Sequence, residues 1–202
     1  MFKKIASEAL GLSDIGAIIS PKDFGSVDAD DYLFHEDGER IFFLIKSKKD
    51  EYCFTNLALI HVDGDSAVSS KRSIRRYDWA AYPVTGVSLE TAGTLDMDVE
   101  LKFAVGGAAF SIDVRKSFIE QLKDIYKALV TIGKLQHHDE VCRGHALHAL
   151  NATAAMYKLG AAPEGQAPAA QFAELLRALN TAVLEQHTRR DFGAVFEKYI
   201  HA

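Results

Sequence analysis

The chain has 202 residues, of which 48% are hydrophobic and 25% are charged, and these values are typical of a globular protein rather than a disordered or disulfide-rich one. No apolar run reaches the ~18 residues that a membrane-spanning helix needs. The formal net charge of −5 argues against a nucleic-acid partner, because a negative chain repels phosphate unless its basic residues cluster.

The two cysteines, Cys53 and Cys142, lie far apart in the chain, and we interpret them as free thiols rather than a disulfide framework. The chain starts with two nearby lysines, but Glu8 and Asp14 interrupt what would be the apolar core of a signal peptide. We therefore expect an unprocessed start and a cytoplasmic location.

Residues 2–12 predict a short amphipathic helix, and a helical turn is expected near residues 21–25. The apolar face of the first helix consists of Phe2, Ile5, Ala9 and Leu12. Seven strands follow, each recognised by alternating or continuous apolar residues between turn residues. These predicted strands are residues 40–46, 52–55, 57–62, 67–77, 84–90, 97–104 and 109–114.

The apolar spacing changes from strand to helix after residue 116. Ser117 and Glu120 have the spacing of a capping box, and an apolar stripe at helical spacing follows them through Ile132. Seven strands followed by one amphipathic helix indicate a small, partly open barrel that the helix plugs.

The remainder of the chain is rich in alanine, with 15 alanines in its last 66 residues, and alanine favours helix. Residues 139–159 and 169–188 predict a helical hairpin, and a short last helix follows. The residues expected to face inward from these three helices are Leu147, Leu150, Ala154, Tyr157, Phe172, Leu175, Leu176, Leu179, Val183, Phe192, Val195, Phe196 and Tyr199. A hairpin of this size has too little apolar area to fold alone, so it must pack on the first domain or on other copies. We place the domain boundary between residues 1–136 and residues 137–202.

Several sequence blocks resemble the bacterial pleckstrin-homology (PH)-like family. They are residues 53–56, 59–60, 63–64, 70–72, 82–83 and, most specifically, 88–101. The alanine-rich remainder is similar to a helical oligomerisation extension found on one branch of that family. The resemblance implies a mainly β plus α fold, a PH-like seven-stranded partly open barrel capped by a helix and followed by a helical hairpin. It also implies a non-enzymatic protein without a cofactor that assembles into a symmetric homo-oligomeric ring.

The first candidate site is the loop with Lys46, Lys48 and Lys49, where lipid-binding PH domains hold phosphoinositide head groups. Several cations on one tip could clamp a phosphate. Asp50 and Glu51 follow directly and neutralise that tip, so a solvated hairpin is the favoured interpretation.

The second candidate is a basic strand with Lys71, Arg72, Arg75 and Arg76. Alternation places these four cations on both faces of the strand, where they could meet an anionic partner. The alternative is a charged strand that resists edge-to-edge pairing or forms salt bridges to a neighbour.

The third candidate is an acidic strand, in which Asp96, Asp98 and Glu100 share one face. Three carboxylates could hold a divalent cation. We favour a contact with the basic strand of another subunit, because ring assembly needs two different surfaces that complement each other.

The fourth candidate is a stripe of His138, Cys142 and His145 on one helix face. Imidazole and thiolate are zinc ligands, and such a stripe is the sole basis for a metal-dependent enzyme. The favoured alternative is a polar helix start with one small thiol.

No Walker loop, dinucleotide-binding glycine motif, nucleophile elbow or zinc-protease motif is present in the sequence, so we expect no catalytic residue. The favoured function is a binding scaffold that partners itself in a ring and presents its loops to a protein partner. The alternative is peripheral association with an anionic membrane through residues 2–12 and the lysine loop.

Overall fold

The computed structural model describes residues 14–64, 72–91, 98–156 and 168–200. The predicted N-terminal helix therefore lies outside the described residues. The chain forms two compact units. The first contains Met1–Gly133 and Arg190–Ala202, and the second contains Lys134–Arg189.

All strands of the described chain belong to the first unit. The strands are β1 (Ala17–Ile18), β2 (Ile41–Lys46), β3 (Glu51–Thr55), β4 (Ala58–Gly64), β5 (Arg72–Asp78), β6 (Val84–Thr91), β7 (Asp98–Val105) and β8 (Ala108–Arg115). Three short 3-10 turns, Pro21–Ser26, Asp28–Tyr32 and His35–Asp37, connect β1 to β2. The seven strands from β2 to β8 match the predicted series, whereas β1 and two of these turns were not predicted.

The strands form two antiparallel sheets. A five-stranded sheet has the order β1-β2-β3-β4-β5, and a three-stranded sheet has the order β6-β7-β8. Aromatic rings pack between the sheets, with Phe54 at 5.9 Å and Phe110 at 5.0 Å from Phe103, measured between ring centroids. Each sheet ends in an edge strand, β5 and β6 respectively, so the barrel is open between them.

The sheets meet on the other side through Gly16. Its backbone N–H donates to the carbonyl of Asp113 at 2.7 Å, and its carbonyl accepts from the N–H of Arg115 at 3.0 Å. A Cβ at this position would lie only 2.8 Å from a side-chain carbon of Ile45. The close approach of the chain to both sheets therefore requires glycine.

The outer face of the five-stranded sheet is covered by the segment that carries the 3-10 turns. The segment and the sheet bury one cluster of side chains between them. Its members are Ile19, Val27, Ala29, Leu33, Leu44, Cys53, Ile60 and Val62. The amphipathic helix that follows the strands buries Leu122, Ile125 and Leu129 completely. These side chains belong to the stripe that the sequence predicted for the helix that plugs the barrel.

That helix, α1 (Ile119–Met156), is longer than predicted. The sequence pattern separated a helix ending near Ile132 from another starting at residue 139, but α1 passes through without interruption, since no proline stands in its path. The predicted capping box of Ser117 and Glu120 does not form. A 3-10 turn, Lys116–Phe118, precedes α1 with Arg115 as its N-cap and no side-chain cap bond, so Ser117 lies inside the turn.

The second unit is helical in its described part. It contains the C-terminal part of α1, then α2 (Pro168–Asn180) and one π-helical turn, Thr181–Glu185. Arg143 donates to the backbone oxygen of His187 at 2.5 Å and joins α1 to the segment after α2. Leu147, Leu175 and Leu176, which the sequence placed inward, are 48%, 41% and 44% exposed.

A last helix, α3 (Gly193–Tyr199), returns to the first unit. Phe192 and Phe196 are buried there, and Val195 is nearly so. The predicted inward side of this short helix is therefore a packing face on the β-sheet unit.

Candidate functional site

The lysine loop does not present its three cations alike. Lys46 is buried, and its ammonium forms an ion pair with the buried carboxylate of Glu51, its cross-strand partner. Glu51 also accepts the N–H of Ala29 at 2.8 Å, so Lys46 neutralises a carboxylate that anchors a 3-10 turn. Lys48 and Lys49 are exposed at the tip. The loop thus offers two accessible cations rather than three.

Two arginines of the basic strand are held within the fold. Arg72 lies 3.4 Å from Asp28. Arg76 bonds to Glu39 at 2.9 Å and to Asp78 at 2.7 Å. Burial opposes ionisation of Glu39, but hydrogen bonds from Arg76, the Phe34 backbone and Thr55 hold the pKa of this carboxyl below its ordinary value. These contacts are structural, because they fasten the segment before β2 to the sheet.

Arg75 differs from its neighbours. It is exposed on the edge strand β5, opposite His61, and it forms no ion pair with any residue that the structure describes. Lys71 lies outside the described residues. Of the predicted basic patch, Arg75 is therefore the described cation that is available to a partner.

The acidic strand lies in a face with an excess of carboxylates. Glu100 stands opposite Glu90 on β6 and Asp113 on β8. Lys102 bridges Glu90 at 2.8 Å and Glu100 at 2.9 Å. Partial burial and then the nearby charges of Glu100 and Asp98 raise the pKa of Asp113.

Carboxylates thus outnumber the two cations Lys102 and Arg115, the latter opposite Asp98, and this face of the three-stranded sheet is negative. Asp98 and Glu100 both lie on β7 within it, while Asp96 lies outside the described residues. An excess of one charge on an exposed face attracts a complementary face of opposite charge.

The His and Cys stripe is only partly assembled. The Cys142 sulfur lies 3.7 Å from Nε2 of His138, but His145 does not join them in a metal-binding group. Within the described ranges, no three His, Cys, Asp or Glu side chains are arranged to hold a metal ion. The other thiol, Cys53, is fully buried, and burial raises its pKa well above the ordinary value, which makes it a poor nucleophile.

Sequence reasoning missed the site that receives α3, which we call the clasp site and define by Phe42, Asn56 and Trp79. The Phe196 ring stacks on Phe42, with centroids 5.3 Å apart and an interplanar angle of 20°, and it lies 6.4 Å from the Trp79 ring. Asp191 accepts from the Asn56 amide at 2.7 Å.

Backbone bonds complete the clasp. The N–H of Phe192 donates to the carbonyl of Asn56 at 2.9 Å, and the side chain of Asp191 accepts the N–H of Gly193 at 2.7 Å. The sequence signal was the apolar spacing of Phe192, Val195 and Phe196, but nothing in it pointed to Asn56 as the receiving residue.

A groove of about 560 Å³ lies beside the clasp site. We call it the β2–α3 groove, and it is bordered by residues before β2, by β2 itself, by the start of α1 and by the end of α3. Its apolar lining includes Phe24, Phe42, Phe118 and Ile200. An ion pair between Arg40 and Glu197 stands at its margin.

Comparison with known proteins identifies the family. Residues 9–133 match the family "Bacterial PH domain", and residues 179–202 match "YvbH-like oligomerisation region". The Bacillus subtilis (strain 168) protein "Uncharacterized protein YvbH" is 51% identical over an alignment of 204 positions, which covers 100% of both chains. A second protein of that strain, "Uncharacterized protein YjqA", is 31% identical over 48% of this chain and 76% of its own.

A crystal structure of a PH domain containing bacterial protein from Exiguobacterium sibiricum 255-15 is 45% identical. It covers 93% of this chain and 100% of its own, with a TM-score of 0.82. This likeness confirms the PH-like open barrel with antiparallel sheets, the long helix and the shorter helices after it. In the described part of the chain, no helix is long and apolar enough to cross a membrane. The chain belongs to the bacterial PH domain family and ends in a YvbH-like oligomerisation region.

Proposed function

We propose that this protein is a non-enzymatic cytoplasmic scaffold, which assembles into a homo-oligomeric ring and presents its PH-like units to a protein partner. The observation that carries the proposal is the oligomerisation region at residues 179–202, next to helices with exposed leucines. Weak contacts to each PH-like unit would add up through avidity in such a ring. Two free cysteines fit a reducing compartment.

The first unit offers two surfaces for a head-to-tail contact between copies. A ring requires one surface of each copy to complement a different surface on the next copy. The exposed Arg75 on the edge strand β5 supplies a positive charge that has no ion-pair partner among the described residues. The carboxylates around Lys102 supply the negative face. We assign these two surfaces to the ring contact, in which the basic and acidic strands of neighbouring copies meet.

The test is the absolute mass in solution by light scattering, measured on the full chain and on Arg75→Glu. Arg75 forms no described ion pair, so its reversal leaves the packing of the unit intact and places a carboxylate against the negative face of the neighbour. We expect the variant to dissociate at concentrations at which the natural chain stays assembled. Lys123→Glu is the matched control, because Lys123 is an exposed cation on α1 whose one described ion pair is with Glu120.

Two outcomes would count against the proposal. A natural chain with the mass of a monomer contradicts assembly altogether. If Arg75→Glu stays assembled and dissociates no more readily than Lys123→Glu, the charged strands do not form the interface. Assembly then depends on the helices.

Binding to an anionic membrane is the second candidate function, and Lys48 and Lys49 are the exposed cations that support it. Two cations on one tip bind weakly, at about 1 kcal/mol each near an anionic surface, so a ring would have to multiply the contact. Co-sedimentation with phosphatidylserine vesicles at low salt tests it. No binding by the assembled chain rejects this function.

A further inference from the structure

The β2–α3 groove is an apolar surface at the margin of the clasp. Phe24, Phe118 and Ile200 line it, together with some polar side chains. A groove of about 560 Å³ with a mainly apolar lining is favourable to fill, because apolar area removed from water stabilises by about 25 cal/mol per Å².

The oligomerisation region connects this groove to self-association. Residues 179–202 include Glu197 and Ile200, which line the groove. The same region begins at Leu179, on the apolar stripe of α2. One matched segment therefore contributes to a concave apolar surface and to a convex one.

The convex surface is the apolar stripe of α2. Leu175 and Leu176 are 41% and 44% exposed, and Leu179 is half-buried. These three residues lie within about 100° of the helix circumference, since each residue advances about 100°. Adjacent exposed leucines of this kind mark an interaction surface.

We infer that the α2 stripe of one copy docks into the β2–α3 groove of a neighbouring copy, with Leu175 and Leu176 as the inserted side chains. The contact is heterologous, because a stripe on one unit meets a groove on another, and such contacts build rings when the rotation closes. The inference rests on the proposed assembly, since it needs a second copy of this chain.

The experiment is chemical crosslinking of the full chain that carries Leu176→Cys and Glu197→Cys, in a Cys142→Ser background. Cys53 stays, because its buried thiol does not react. A short bismaleimide is added to the assembled protein, and the products are separated on a denaturing gel. We expect a ladder of covalent multimers. Ala170→Cys with Glu197→Cys is the matched control, because Ala170 is exposed on α2 and lies more than about 100° from the stripe around the helix, and we expect severalfold less multimer.

Light scattering on the uncrosslinked double variant separates the possible failures. Suppose that this variant is assembled but yields only crosslinked monomer, or yields no more multimer than the control does. The docking inference is then wrong, whereas the ring proposal still stands. If the natural chain is a monomer, both are wrong. Leu176→Asp gives an independent test, and the mass of this variant should fall relative to that of Ala170→Asp at equal concentration. Equal masses contradict the inference.

Discussion

The clasp that fastens α3 to the β-sheet unit gives the sharpest prediction, and Phe196→Ala is the change that tests it. Phe196 is 0% exposed and packs on the rings of Phe42 and Trp79. Truncating a buried phenylalanine costs about 3–5 kcal/mol, from the lost transfer free energy and from the cavity that remains. We expect the free energy of unfolding to fall by an amount within this range.

The assay uses the single tryptophan of the chain, Trp79, as an internal probe. It is 1% exposed and lies beside the truncated ring. Urea unfolding followed by Trp79 fluorescence gives the free energy of unfolding, and circular dichroism of the strands gives a second curve. Because α3 has only seven residues, it can detach before the sheets unfold. The fluorescence curve of the variant should then precede the dichroism curve.

Phe34→Ala is the matched control, since Phe34 is 51% exposed and its described ring contact is with Arg76, at 4.6 Å. Losing such an exposed cation–π contact costs about 0.5–1 kcal/mol. The reasoning is refuted if Phe196→Ala unfolds within about 1 kcal/mol of the natural chain, because a buried ring costs far more, or if Trp79 stays equally protected from a quencher. A chain shortened to end before residue 190 would lose the same contacts, so assembly is best measured on the full chain.

Two further predictions concern buried titratable groups. Glu39→Gln should destabilise the protein by about 1–3 kcal/mol at neutral pH, because it removes a charged hydrogen-bond partner of Arg76. The folded pKa of Glu39 lies below its ordinary value of 4.5, so its contribution is complete above that value and is lost as the pH falls through the folded pKa. The difference between the two proteins in urea titrations should therefore shrink in acid, and a constant difference contradicts the assignment. Cys142 should react with iodoacetamide in the native protein while Cys53 reacts only after unfolding, and mass spectrometry showing early modification of Cys53 would disprove its burial.

At the candidate sites, the sequence shows which residues are charged, but tertiary contacts determine which of these charges are paired. Lys46, Lys48 and Lys49 are equivalent in the sequence, but the register of β2 and β3 sets Lys46 against Glu51 and leaves the other two lysines exposed. In the same way, Arg75 and Arg76 are adjacent in the sequence, but Arg75 is exposed whereas Arg76 forms ion pairs within the fold. Arg76 turns toward Glu39, which is 37 positions away in the chain, and no local signal announces that partner.

The strands and the main helix follow from the sequence by itself. Val99, Leu101 and Phe103 alternate with polar residues, and the structure buries these three, since successive side chains of a strand point to opposite faces. The turn at Gly106 and Gly107 has positive φ at both residues, as a two-residue hairpin demands. Strand alternation and turn type depend on residues close together in the chain, so a single sequence is enough to predict them.

Only the tertiary structure decided where the chain closes on itself. Gly16 reaches β8, Asn56 holds Asp191 across 135 positions, and the β2–α3 groove forms between segments distant in the sequence. Such contacts depend on which surfaces meet after the elements have formed, and many pairings satisfy the same apolar pattern. The sequence determined which faces are apolar. The packing of the elements determined which of those faces were covered and which stayed exposed.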